Sequence, residues 1–249
     1  VYIMVITSFK TSSQAFDMPP EFLPAPALFN YHAVLTELNF TRYLYNSLVI
    51  SLVTTAVSIL VCIMSGYALA RFNFRGAGLL SMGTVLIRMV PPVVVAVPMY
   101  VLWTKFGLTG GLSGLVLAYL GLTIPLNVWM LSIFIKEIPF ELEEAAAIDG
   151  CSYMRILWGI VVPLIKPGIS VTSVFTFRTA WNEFLLAIIL SNRSTRTLPA
   201  AVSLMISDLG INWGQIMAMA TIIAIPAFIV TFACSKNLIT GMTAGAVKG

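Results

Sequence analysis

Leu44-Tyr-Asn-Ser-Leu-Val-Ile-Ser-Leu-Val-Thr-Thr-Ala-Val-Ser-Ile-Leu-Val-Cys-Ile-Met-Ser-Gly-Tyr-Ala-Leu-Ala70 is a run of 27 residues without one Asp, Glu, Lys or Arg. As a helix it would be about 40 Å long, more than the roughly 30 Å of hydrocarbon in a bilayer. Its apolar residues follow one another without the alternation of a barrel strand, so it reads as a membrane-crossing helix. Runs of the same kind occupy residues 79–103, 112–135, 169–190 and 215–235. Residues 1–9 are also mostly apolar but too short to cross; they read as the trimmed end of a first span, with a segment lying on the surface as the alternative. A signal peptide fits less well, because no charged segment precedes the run and no small-residue cleavage site follows it. The expected fold class is an all-α membrane protein with six transmembrane helices, the first truncated, forming a single transmembrane domain over residues 1–249.

Composition agrees. The 249 residues are 59% apolar and 10% charged, with a mean hydropathy of +0.95, against about 45–50% and 25% in soluble domains. These values exclude a disordered protein, a coiled coil, a disulfide scaffold and a small anchor carrying a large soluble domain. Fourteen Lys and Arg face ten Asp and Glu, and no basic run could track the phosphates of a nucleic acid. Cys62, Cys151 and Cys234 have no metal-ligand spacing. The single histidine, His32, falls in the polar, proline-bearing stretch 10–43 and reads as solvated. Neither a Ser-His-Asp nor a Cys-His set is present, and the G-x-x-x-x-G-K-[ST] phosphate cradle is missing, so no enzyme activity and no cofactor of its own are expected.

The scarce charge is concentrated. Eight of the 24 charged residues lie between Lys136 and Gly168, where the chain reads Lys136-Glu-Ile-Pro-Phe-Glu-Leu-Glu-Glu-Ala-Ala-Ala-Ile-Asp-Gly150-Cys-Ser-Tyr-Met-Arg-Ile-Leu-Trp-Gly-Ile-Val-Val-Pro163. Pro139 suits a helix start, Glu141, Glu143 and Glu144 complement the positive N-terminal end of the helix dipole, and Gly150 suits a stop. A second short helix is predicted from Ser152 to Val162, ended by Pro163. Such a loop either offers a surface to a partner or lies amphipathically on the bilayer. Alternation of the spans puts it on the side of residues 71–78 and of the C-terminus. That side holds seven Lys and Arg against five on the other, which makes it cytoplasmic by the positive-inside rule.

Glu144-Ala145-Ala146, three residues, Gly150, nine residues, Ile160 and Pro163 resemble the EAA motif of ATP-binding-cassette importer permeases, EAA-x3-G-x9-I-x-L-P; Val162 stands at the Leu position. The ending Gly241-Met-Thr-Ala-Gly-Ala-Val-Lys-Gly249 resembles that of the maltose-type carbohydrate permeases, and Trp181-Asn182-Glu183-Phe184-Leu185 is similar to their WN-x-F-L stretch. The resemblance implies a type I importer permease fold in the cell (inner) membrane, with 136–168 as the cytoplasmic loop whose coupling helices sit in a cleft of a separate ATPase. It implies Glu143, Glu144, Ala145, Ala146, Asp149 and Gly150 as the ATPase contact, and Thr243, Gly245 and Lys248 as a further contact from the C-terminal tail. The partners implied are a dimer of ATP-binding subunits, which would hold ATP and Mg, a second permease subunit and an extracytoplasmic solute-binding protein. That last protein would meet the loop 191–214, with Asp208, Asn212 and Trp213 as contacts; a solvated hairpin is the alternative.

Arg88, Asn127, Arg178, Asn182 and Glu183 fall inside predicted spans. A charge at a helix centre costs roughly 2.5–3.5 kcal/mol on insertion scales, so these residues should face the bundle interior, a partner or a water-filled path. With Pro91, in a proline-rich stretch that loosens its span, they are the candidate translocation path; a structural pair of Glu183 with Arg88 or Arg178 is the alternative. The reading is a sugar importer permease working by alternating access. The rivals are a self-sufficient secondary transporter or channel, or an importer of glycerol-phosphate, polyamine or osmolyte.

Overall fold

The computed structural model describes residues 1–11, 13–17, 22, 28–37, 39–207 and 210–246. Among these the ordered elements are helices and 3-10 turns, apart from one antiparallel pair of two-residue strands, Ile206–Ser207 and Gly210–Ile211. In chain order the helices are α1 Tyr2–Thr7, α2 Phe29–Glu37, α3 Phe40–Arg71, α4 Ala77–Ile87, α5 Pro92–Lys105, α6 Leu112–Lys136, α7 Glu141–Ile148, α8 Tyr153–Ile156, α9 Val162–Leu164, α10 Lys166–Trp181, α11 Leu185–Leu190, α12 Leu198–Val202 and α13 Trp213–Ala246. Three described helices are long and apolar enough to cross a bilayer: α3, α6 and residues Trp213–Cys234 of α13.

The stretch expected as one span over 79–103 is two helices bent by 101°. Val90 precedes Pro91, and a residue before proline is pushed out of the helical region; Pro91 and Pro92 then supply no N–H to the turn before them. Pro98, Pro125 and Pro226 lie inside α5, α6 and α13 without ending them. The stretch expected over 169–190 is likewise divided, α10 stopping at Trp181 and α11 starting at Leu185. Pro163 does not end the second loop helix as predicted. Instead α8 passes into a π turn over Leu157–Val161, where the N–H of Val162 reaches the Leu157 carbonyl, and α9 follows. Pro163 has no N–H to give the Gly159 carbonyl, which favours this looser turn. The chain then bends by 79° between Leu164 and Lys166.

Contacts divide the chain into two compact units. The first comprises the described residues of Val1–Ile50, Ala96–Leu115 and Trp181–Ile229. Here Asn30 Nδ2 donates to the carbonyls of Ser8 and Lys10 at 2.9 and 2.8 Å. Asn46 Nδ2 donates to the carbonyls of Ser194 and Arg196, and the Leu198 N–H donates to Ser47 Oγ. The hairpin between α5 and α6 turns through Gly107 and Gly110, both at positive φ, and Trp103 Nε1 closes it by donating to the Gly114 carbonyl at 2.8 Å.

The second unit comprises the described residues of Ser51–Val95, Val116–Ala180 and Val230–Gly249. Its core joins Cys62, Ile63 and Tyr67 of α3 to Val128, Leu131 and Ile135 of α6, and continues into the charged loop through Ala146, Ile156, Leu157 and Val161. Between spans, lipid is as apolar as leucine, so close packing and interhelical hydrogen bonds hold helices together rather than the hydrophobic effect. Gly66 permits this packing: a β-carbon there would come within 3.2–3.4 Å of Ser132 N, Leu131 Cβ and the Val128 carbonyl. At Gly168 a β-carbon would meet the Phe134 ring at 2.5 Å.

Candidate functional site

The charged loop folds on the ends of α3 and α6. In α7, Glu141, Glu143 and Glu144 occupy the first turn, where the free N–H groups and the helix dipole favour negative charge. The helix stops as the sequence predicts. Gly150 adopts φ +79°, its N–H reaches the Ala147 carbonyl, and the Cys151 N–H reaches the Ala146 carbonyl at 3.0 Å, the paired closure of a glycine C-cap. Ser152 then caps α8 by accepting the Arg155 N–H.

The six residues expected to form the partner contact divide between two faces. Glu144, Ala145, Asp149 and Gly150 are exposed, next to Ile148, which is 86% exposed. Glu143 and Ala146 are corrected: they are 3% and 8% exposed and turn into the chain. The reason is the helical period, since positions 143 and 146 share the face packed on α3 and α6, while 144, 145, 148 and 149 fall on the other. Phe140, Leu142, Tyr153, Met154 and Trp158 are exposed as well.

Glu143 sits in a closed set of bonds that the sequence did not reveal. Its Oε1 accepts from Arg71 Nε at 2.6 Å and its Oε2 from the Tyr67 hydroxyl at 2.8 Å. Arg71 Nη2 donates to the carbonyls of Ile135 and Ile138, each at 2.9 Å. The Arg71 guanidinium also lies 5.5 Å from the Phe140 ring centroid. A cavity of about 240 Å³ adjoins these groups, lined by Tyr67, Arg71, Phe72, Glu143, Tyr153 and Ile156 among others. Sequence reading placed Arg71 among ordinary loop charges. The available signal was its spacing of four from Tyr67, which puts both on one face at the end of a span.

Of the residues expected along a path, Arg88 stands at the α4–α5 break, exposed, with Nη1 donating to the Leu122 carbonyl at 3.2 Å. With Pro92, Gly121, Leu122 and Pro125 it lines a cavity of about 260 Å³. Pro91 is exposed within the same break. Asn127 faces the bundle interior, the first of the placements expected for it: it is 2% exposed and ties three helices, donating to Ser58 Oγ at 2.9 Å and Thr176 Oγ1 at 2.7 Å. Asn127→Ala should therefore lower stability by about 1 kcal/mol, the usual size of an interhelical hydrogen bond in lipid, as measured by the unfolding midpoint in mixed detergent. A change in transport with no change in midpoint would contradict this placement.

Arg178 lies exposed in the last turn of α10. In the break that follows, the Glu183 carboxylate accepts the N–H groups of Leu186 and Ala187 at 3.1 and 3.0 Å, capping the start of α11. Asn182 and Phe184 line a cavity of about 500 Å³ with Pro199, Ser203, Ile223 and Ala224. The first part of the 191–214 connection is not a solvated hairpin, since Thr197, Leu198, Ala200 and Ala201 are buried. Asp208 and Lys248 lie outside the described residues, and the backbone of Thr243 and Gly245 continues α13.

Residues 58–243 match the family described as "Binding-protein-dependent transport system inner membrane component". Over 99% of its length the chain is 33% identical to the sulfoquinovosyl glycerol transport system permease protein SmoH of Agrobacterium fabrum, covering 87% of that protein. It is 32% identical over its whole length to the diacetylchitobiose uptake system permease protein DasC of Streptomyces coelicolor, covering 91% of it. Among solved structures it is similar to a chain of a bacterial ABC transporter involved in the import of the acidic polysaccharide alginate. There the TM-score is 0.80 at 19% identity, over 95% of this chain and 89% of the other, a likeness of fold.

Proposed function

We infer the role of this chain from one premise: it belongs to the binding-protein-dependent transport system inner membrane components, and it acts as the transmembrane permease subunit of an ABC importer. The observation that carries the mechanism is the two-sided α7, with Glu143 and Ala146 held inside and Glu144, Ala145, Ile148 and Asp149 presented outward. That arrangement suits a coupling helix seated in a cleft of a separate ATPase dimer, which would hold ATP and Mg. The sequence has no phosphate cradle of its own. The C-terminal part of α13 would meet the same ATPase, placing the C-terminus in the cytoplasm.

The cargo we propose is a sugar or sugar-like solute delivered by an extracytoplasmic binding protein, because relatives covering nearly all of the chain are named for sulfoquinovosyl glycerol and diacetylchitobiose. The crossings would be α3, the bent α4–α5, α6, α10 with α11, and α13, with α1 as part of a further one. A second permease subunit would complete the path. The exposed Arg88 at the α4–α5 break, with Met89, Val93 and Val94 exposed near it in sequence, supports such a partner, since a guanidinium facing lipid is costly. Each of the broken helices, at Pro91 and at Asn182–Phe184, supports a nearby path, because non-helical backbone at membrane depth is tolerated where it lines a cavity.

Co-expression with candidate ATPase and second permease subunits tests this. The chain should retain the ATPase through purification, and liposomes should take up labelled disaccharide only with binding protein outside and ATP inside. Uptake by this chain alone, insensitive to nucleotide, would overturn the importer reading in favour of a self-sufficient transporter.

A further inference from the structure

The Arg71 side chain is 10% exposed and the Glu143 side chain 4%, in a part of the chain where an ordinary span-ending arginine would extend toward headgroups or water. Instead Arg71 uses its fork inward. One edge meets the Glu143 carboxylate of α7, and Nη2 meets the carbonyls of Ile135, in the last turn of α6, and Ile138, just beyond it. The Ile135 carbonyl accepts the Ile138 N–H at 3.2 Å but has Pro139, which carries no N–H, at the α-helical donor position, and Ile138 lies past the end of α6 at Lys136, so Arg71 supplies donors where the helix runs out. Tyr67, one turn earlier on α3, takes the second carboxylate oxygen. The carboxylate is thus clamped by two side chains of one helix, so α7 is fixed to α3 in direction as well as in distance. A lysine could not make this set, having a point charge in place of a planar fork.

Resting on the coupling role proposed above, we propose that Arg71 is a positioning residue that makes α7 and the ends of α3 and α6 one rigid piece. Displacement received at Glu144 and Ala145 passes through the neighbouring Glu143 into the spans rather than being absorbed by the loop. A buried charge left without its partner is strongly unfavourable, which gives this piece one stable arrangement through the cycle.

The experiment uses the assembled transporter, with Cys62, Cys151 and Cys234 replaced by alanine and spin labels at Leu142 of α7 and Met64 of α3, both exposed positions. In the unsubstituted assembly the distance between labels should stay the same with and without trapped nucleotide. Arg71→Ala should broaden it and lower transport by about tenfold or more while the ATPase is retained and still hydrolyses ATP, because the pair is broken but the docking face is intact. Arg71→Lys and Glu143→Gln should fall between, and they decide the matter if Arg71→Ala fails to assemble. A distance that shifts with nucleotide in the unsubstituted assembly overturns the proposal. So does full transport with an unchanged distance in Arg71→Ala, or in both milder variants. If instead the unsubstituted chain retains no ATPase, the coupling reading fails, and the label distance in the chain alone still reports whether Arg71 sets the geometry.

Discussion

Glu144→Lys is expected to abolish ATP-driven transport, by about 100-fold or more, while leaving the amount of folded, membrane-inserted chain unchanged. Glu144 is exposed on α7 and makes no bond within the loop that its loss would break. Its folding cost is therefore that of a surface change, within about 0.5 kcal/mol. The docking cost is larger. In the docking proposed above, the Glu144 carboxylate would pair with a basic group of the ATPase; the substitution would set an ammonium beside that group, and like-charge juxtaposition at an interface costs several kcal/mol, where each 1.4 kcal/mol is about tenfold. Stimulated ATP hydrolysis and uptake in liposomes measure the effect, and membrane-fraction abundance with thermal stability provides the control. Glu137→Lys, on an exposed residue just beyond α6, should change transport by less than about twofold. Equal effects at 137 and 144 would show that the loop senses net charge and that the outer face of α7 has no particular role.

Gly114→Ala is expected to give the largest loss of stability, about 3 kcal/mol or failure to accumulate, as for a severe overpacking. A β-carbon at Gly114 would overlap the Leu108 carbonyl oxygen and lie 3.2 Å from the Trp103 ring. The obstructing atom is backbone, in a turn already constrained by positive φ at Gly107 and Gly110, so no rotamer change relieves it. Gly121→Ala on the same helix is the matched comparison. Nothing lies within 4 Å of its β-carbon, and alanine there should be neutral or stabilising by up to about 1 kcal/mol. Thermal unfolding in detergent of the two variants measures the difference. Similar midpoints would mean that the α5–α6 turn is looser than its geometry indicates.

Much of the architecture was legible because a bilayer imposes simple rules on sequence. Runs without charge had to be helices of a certain length, and α3, α6 and the apolar part of α13 lie within a few residues of the runs at 44–70, 112–135 and 215–235. The glycine stop of α7 was legible too, since Gly150 needs the left-handed region and few other residues accept it. The breaks were less so. Pro98, Pro125 and Pro226 are tolerated inside helices while the pair at Pro91 and Pro92 is not. Asn127 read as a path residue because intramembrane polarity often marks function; its bonds to Ser58 and Thr176 link positions 69 and 49 residues away, which no local pattern records.

By itself the sequence determined that this chain lives in a membrane, that its charge is concentrated in one loop, and that the loop carries a helix ended at Gly150. These follow from composition and from interactions within a few residues, which solvent and backbone sterics settle alone. Only the tertiary structure decided that adjacent glutamates have opposite fates, Glu143 turned inward to Arg71 and Tyr67 and Glu144 outward. It also decided that Gly114 has no room for a methyl group while Gly121 does. Both distinctions depend on what stands opposite a residue in space. Arg71 lies 72 residues from Glu143 in the chain, so their meeting is a consequence of packing α3 against α6 and of nothing written near either one.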